Sequence, residues 1–177
     1  MDDYLASREP GRVATLARAW DAWAERCHVV EKKQATETAP STPQIANRAL
    51  LIQCDVLAEG RTGVILAQGG QQNGYALHLN DGKLIFSVRI AQKLTAITAS
   101  EPLPPSRCRL EAQLARDGAM TLLVNDKLVA TGKASGLIPT QPQDGLSIGR
   151  DEKTAVGEYA APNPLAGSVL NVKVSTR

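Results

Sequence analysis

Ten short stretches of this sequence share one pattern. LLIQCDV, GVILAQ, YALHL, KLIFSV, LTAIT, RCRLEAQL, AMTLLV, KLVATG, GLSIG and SVLNVKV each run for five to eight residues, alternating or continuously apolar, and Gly, Asp, Asn or Pro bounds them. An extended chain sends successive side chains to opposite faces, so a period of two reads as strand. Strands at this spacing, separated by turn residues, predict an antiparallel β-sandwich from residue 48 to the end.

The turns and the phases sharpen that expectation. Asn80-Asp81-Gly82 joins YALHL to KLIFSV, Asp117-Gly118 joins RCRLEAQL to AMTLLV, and Asn125-Asp126 joins AMTLLV to KLVATG. Each tolerates the positive φ of a tight hairpin, which makes those neighbours antiparallel. Along YALHL, Tyr75, Leu77 and Leu79 share the predicted core face, and Ala76 and His78 share the solvent face. Cys54 and Cys108 fall on inward phases and Cys27 precedes the strands, so the three cysteines read as small buried hydrophobes, not a disulfide framework. No C-x-x-C pair offers a metal site.

The N-terminal part has a different period. Val13, Leu16, Ala17, Trp20, Trp23, Ala24 and Cys27 recur three or four residues apart, the stripe of an amphipathic α-helix, with Pro10 suited to its first turn. A polar, Thr- and Pro-rich stretch follows. The expected organisation is a helical segment over 1–30, a linker over 31–47 and the sandwich over 48–177. With 20 Lys and Arg against 18 Asp and Glu, and no basic run interleaved with aromatics, nucleic acid is not the expected partner. The apolar stretches are too short and too charged to span a membrane, and no secretory leader is read at Met1.

In order, GVILAQGG, NGYALHLNDGKLIFSVR, TLLVNDKLVATG, GLSIGRD with Val156 and Tyr159, and LAGSVLNVKV resemble the concanavalin A-like (laminin G-like) jelly roll found at the C-terminus of many bacterial arylsulfatases. The first 29 residues resemble the end of the sulfatase domain that precedes it: Leu5, Ala6, Pro10, Arg12, Val13, Trp20, Trp23 and Ala24 stand where that family has D-L-A-x-x-x-P-x-R-V leading to W-x-x-W-A. The resemblance implies a parent sulfatase, periplasmic or extracellular, with formylglycine and a divalent cation, calcium, in its catalytic domain. It also implies that domain as a partner of the sandwich, and contact with a sulfated polysaccharide. The C/S-x-P-x-R motif itself is absent, since Ser41-Thr42-Pro43 and Ser100-Glu101-Pro102 lack the required Arg. The chain is therefore read as a non-catalytic accessory module with no cofactor or metal of its own. Self-association through the Trp20/Trp23 face is a further expectation, because an apolar stripe seeks a cover.

Two other classes compete with this reading. A glycan hydrolase of this fold needs paired carboxylates; no E-x-D occurs, and adjacent Asp151 and Glu152 would point apart on an extended chain. An independent carbohydrate-binding module would show exposed aromatics, and aromatic residues make up only 3% of the chain. That scarcity weighs toward a structural role. GGQQNG leads into a strand, not a helix, and reads as a surface loop, not a phosphate cradle. His28 and His78 have no partner constellation. The binding candidates are Arg107 and Arg109, outward around Cys108 and suited to a sulfated chain, and Arg150, Asp151, Glu158 and Tyr159, grouped on one loop after GLSIG.

Overall fold

A computed structural model describes residues 42–177, all within one unit of the chain, Pro40–Arg177. The helix expected over 1–30, with Trp20, Trp23 and Cys27, and the linker as far as residue 41 lie outside the described residues. Ten strands are present: β1 Leu50–Ala58, β2 Gly63–Gly69, β3 Gly74–Asn80, β4 Lys83–Ile90, β5 Lys93–Pro102, β6 Cys108–Leu114, β7 Ala119–Val124, β8 Lys127–Lys133, β9 Leu146–Ile148 and β10 Gly167–Thr176. Each overlaps one of the ten stretches read from the sequence, and no helix occurs among the described residues.

The strands form two five-stranded sheets, ordered β10-β1-β6-β7-β8 and β5-β4-β3-β2-β9, with every ladder antiparallel. The three predicted hairpins form as expected. Asp81 and Gly82 have φ of 52° and 77°, Gly118 has 84°, and Asn125 and Asp126 have 50° and 64°. A fourth tight turn, Ala91-Gln92 between β4 and β5, has φ of 47° and 69° with neither Gly nor Asn in it. Left-handed backbone at such residues is strained and needs outside support.

Between the sheets lies one apolar core. Tyr75, Leu77, Leu79, Leu84, Phe86 and Val88 from β3 and β4 meet Ile52, Cys54, Leu110, Ala112, Leu114, Met120 and Leu122 from the opposite sheet. Cys54 and Cys108 are buried and free, on the inward phase that the alternation assigned, and burial raises both thiol pKa values. A β-bulge between Val64 and Leu66 lets both Ile65 and Leu66 join this core. Residues 42–47, the end of the expected linker, also pack on the sandwich. Ile45 is 1% exposed and its N–H donates to Gln141 Oε1 at 2.8 Å, while Gln68 and Gln141 side-chain amides both donate to Pro43 O.

One expectation is corrected by the second sheet. Ala76 and His78 do not face solvent: both are buried, as is every residue of β2 and all of β3 except Asn80. The cause is a loop between β9 and β10 that crosses the outer face of β2, β3 and β4. Val156 from this strap packs with Val64, Ala67 and Ala76, and Tyr159 packs beside them. The strap is closed at its base: Asp151 N donates to Pro162 O at 2.9 Å, Leu165 N to Gly149 O at 2.8 Å, and Val64 N to Asn163 O at 2.8 Å. A loop whose ends meet and whose side chains fill its own underside forms a compact unit on the sheet.

Candidate functional site

The loop from β2 to β3 and the strap make a site together. At the loop tip, Gly69 has φ of 96°, and a Cβ at Gly70 would lie 1.9 Å from Thr154 Oγ1, so a side chain there would displace the strap. Asn73 ties three segments. Its Nδ2 donates to Thr140 Oγ1 at 2.9 Å, and its Oδ1 accepts from Ala91 N at 2.9 Å. Gln92 N donates to Gln72 O at 2.8 Å. These bonds satisfy both N–H groups of the strained Ala91-Gln92 turn and hold it against the loop tip.

Two open clefts meet at Gln71 and Gln72. The first, about 400 Å³, is lined by Gly69 to Asn73, by Thr140 to Asp144 and by Thr154. The second, about 330 Å³, is lined by Arg89, Gln92, Ala155, Gly157 and Tyr159 besides the shared glutamines. Together they form a trough walled mainly by side-chain amides and hydroxyls. Arg89 is fixed in it, with Nε donating to Val156 O at 2.8 Å and an Nη to Gln92 O at 3.0 Å.

Beneath the strap lies a polar group of four residues, of which His78, Ser87 and Asp151 are buried and Tyr159 half-buried. His78 Nε2 and Ser87 Oγ are hydrogen-bonded at 3.1 Å, the His78 ring meets Tyr159 edge-on at 4.8 Å, and the Tyr159 hydroxyl donates to Asp151 Oδ2 at 2.7 Å. Burial pulls the His78 pKa down to about 4, partly opposed by the Leu79 backbone, and Nδ1 has no hydrogen-bond partner among the described residues. Burial also pushes Asp151 up, against the Tyr159 hydroxyl and the Lys153 and Val156 backbone, which favour its charged form, while Asp144 adds to the rise. Tyr159 is pushed up by burial and by Asp151. Ser87 with His78 has the outline of a nucleophile and base. The pair is closed off: both are buried, the imidazole is a weak base, no carboxylate of the described residues orients Nδ1, and a Cβ on Gly157 would lie 2.8 Å from Nε2, so the strap seals it.

The sequence candidates scatter. Of the four candidates on the strap, only Asp151 and Tyr159 come together, and of the four only Tyr159 lines the trough. Arg150 turns to Glu152 at 2.8 Å, and Glu158 is exposed with no bond to a described residue. Asp151 is 3% exposed and serves the strap's interior. Arg109 belongs to β6 of the other sheet, and Arg107 lies in the loop just before that strand. Arg109 lines a separate groove of about 270 Å³ with Gln53, Asp55, Asn171 and Lys173, where Asp55 offsets part of the positive charge. Sequence reasoning missed Gln71, Gln72, Arg89 and Gln92. GGQQNG carries the first two, and its amides are the signal that reading it as a plain surface loop passes over. Among the described residues, no three His, Cys, Asp or Glu side chains converge to hold a metal.

Neither a family model nor a curated protein matches the chain. Solved structures do. Domains LG4-5 of the mouse laminin α1 chain superpose with a TM-score of 0.62 at 17% identity, covering 77% of this chain and 40% of that one. The LG1-3 region of the laminin α2 chain gives 0.63 at 10% identity, covering 76% and 28%. The fold is a laminin G-like sandwich. The chain spans two fifths or less of the laminin chains it matches. The CBM40 of Ruminococcus gnavus IT-sialidase, bound to α2,3 sialyllactose, gives 0.56 at 12% identity, covering 74% of this chain and 76% of that one. At such identities the likeness is one of fold, and the laminin G-like sandwich hosts many functions on different surfaces.

Proposed function

We propose that this chain is a non-catalytic carbohydrate-binding module whose ligand lies in the trough across Gln71 and Gln72. The observation that carries this reading is the wall of amides and hydroxyls on a braced framework. A sugar hydroxyl both donates and accepts, and a side-chain amide offers the same two capacities in fixed geometry. Tyr159 adds one apolar ring at the trough's end. Scarce aromatics weighed against a lectin at the level of sequence; amides supply the recognition instead. The bound sialyllactose of the similar CBM40 supports the reading by analogy of fold alone.

The finer proposal is that the module serves a sulfatase, packing beside its catalytic domain in the periplasm or outside the cell. It rests on the order of the matching segments and on Leu5 to Ala24, and a coding region upstream carrying C/S-x-P-x-R tests it. For binding itself, a glycan array that includes sulfated polysaccharides is read with the intact chain and with Gln71→Ala/Gln72→Ala. The expected result is a ligand lost in the double variant. An array without any ligand overturns the binding function.

A further inference from the structure

The trough is chemically lopsided, and the asymmetry bears on which glycan it takes. Arg89 is the one cation among the residues lining the two clefts. It is part-buried, its Nε and one Nη are spent on two uncharged carbonyls, and its other Nη has no hydrogen-bond partner among the described residues. Nor is any carboxylate of the described residues within ion-pair distance of it; the ion pairs there use Arg61, Lys133, Arg150 and Lys153. A guanidinium already held in place loses little freedom when it binds an anion, and its bonds to one are charge-assisted. The first cleft has no cation in its lining and contains Asp144, whose carboxylate is taken by Lys153 at 3.0 Å and Thr154 at 3.3 Å. Its remaining groups are neutral amides and hydroxyls such as Asn73, Thr140, Gln141 and Gln143.

Building on the carbohydrate-binding reading, we propose that the Arg89 cleft takes an anionic sugar unit and the Asp144 cleft a neutral one beside it. The ligand is then a stretch of acidic polysaccharide in which charged and uncharged sugars adjoin. Both clefts are open and share Gln71 and Gln72 in their linings, so a glycan chain laid over these two side chains would reach both and needs no free end. Carboxylate and sulfate share the chemistry that Arg89 recognises.

Titration calorimetry on the intact chain tests this with three probes: a tetrasaccharide of alternating glucuronate and N-acetylglucosamine, the same tetrasaccharide with its carboxyls reduced, and the reduced form carrying sulfate. At least one anionic form should bind about tenfold or more tighter than the reduced form, and the tighter of the two names the anion. Arg89→Gln should erase that preference, the anionic forms losing about tenfold more affinity than the reduced form. Equal affinity for all three probes, or an Arg89→Gln variant weakened equally toward all, overturns the charge assignment and leaves the carbohydrate-binding function standing. If none of the probes binds while other glycans on the array do, the inference fails alone; if no glycan binds at all, both fail.

Discussion

The two sheets share one core and differ in their outer faces. On β1 and β6 the burial alternates residue by residue, buried inward and open outward, and the outward row carries Gln53, Asp55, Arg109 and Glu111. On β2 and β3 the alternation in exposure disappears, because the strap adds a second apolar layer over Val64, Ala67 and Ala76. Among the described residues, one outer face is therefore a plain, half-exposed sheet. The other is a built surface with a trough at its rim and a sealed polar cluster beneath it. Extra structure laid over a sheet must be stabilised, and its presence marks where the fold was elaborated beyond what folding requires.

The largest effect should come from placing the same charge on each face. Ala76→Glu puts a carboxylate under the strap, in the apolar group of Val64, Ala67 and Val156, and should cost about 3–5 kcal/mol. Thr121→Glu, outward on β7 of the plain sheet and partly exposed, should stay within about 0.5 kcal/mol. Urea unfolding of both variants checks the contrast. Similar losses in the two would mean that the strap does not cover β3 in solution.

Acid should distinguish the faces next. His78 is held neutral under the strap with its pKa lowered from 6.5 to about 4. A pKa lower in the folded chain than in the unfolded one gives stability that is complete above about pH 6.5, falls as the pH drops toward 4, and is gone below it. The shift sets an upper bound of roughly 3 kcal/mol on that loss. The raised pKa of Asp151 works in the opposite direction, so the comparison must isolate the histidine. His78→Leu should flatten the stability profile between pH 4 and 6.5, measured by denaturant titration at each pH. A profile unchanged by that substitution would place the acid sensitivity elsewhere.

Much of this was legible in the sequence, for a physical reason. Strands and hairpins are local: the period of two, and the positive φ that Asp81, Gly82 and Asn125 accept, are written within a few residues of where they act. The strap was not legible because its stability is tertiary. GRDEKTAVGEYAAPNP has no period, and what holds it is the fit of Val156 onto Ala76, the edge of Tyr159 on His78, and a base closed by backbone bonds. His78 therefore read as a solvent residue, since alternation knows nothing of a second layer. Small residues at Ala67 and Ala76 were the one available hint that something approaches the sheet there. For the site, clustering by sequence grouped Arg150, Asp151, Glu158 and Tyr159, but a loop folded on itself sends neighbours in different directions.

A milder blow to the strap is Tyr159→Phe, which keeps the ring and removes the donor at 2.7 Å from buried Asp151. Leaving that carboxylate short of one partner should cost about 1–3 kcal/mol. The cost should be local, appearing as faster amide exchange over residues 151–160 and not in β6 or β7. Uniformly faster exchange in both sheets would show that strap and core unfold as one unit, and would remove the distinction between the two faces.

The smallest expected change in stability tests the turn that the sequence did not announce. Gln92 sits at φ 69°, where a non-glycine residue is strained by about 1 kcal/mol. Gln92→Gly relieves that strain but gives the unfolded chain more freedom, worth about 0.4–1 kcal/mol in the opposite direction. The two nearly cancel, so stability should move by less than about 0.5 kcal/mol. Ligand affinity should nonetheless fall, because the Gln92 side chain lines the second cleft and meets Gln72 Oε1 at 3.3 Å. Thermal unfolding beside a glycan titration reads both at once. A variant that binds as well as the parent would mean that the turn's unusual residue belongs to folding alone. One that is equally stable and binds poorly would mean that the strain is retained for the side chain it presents to the trough.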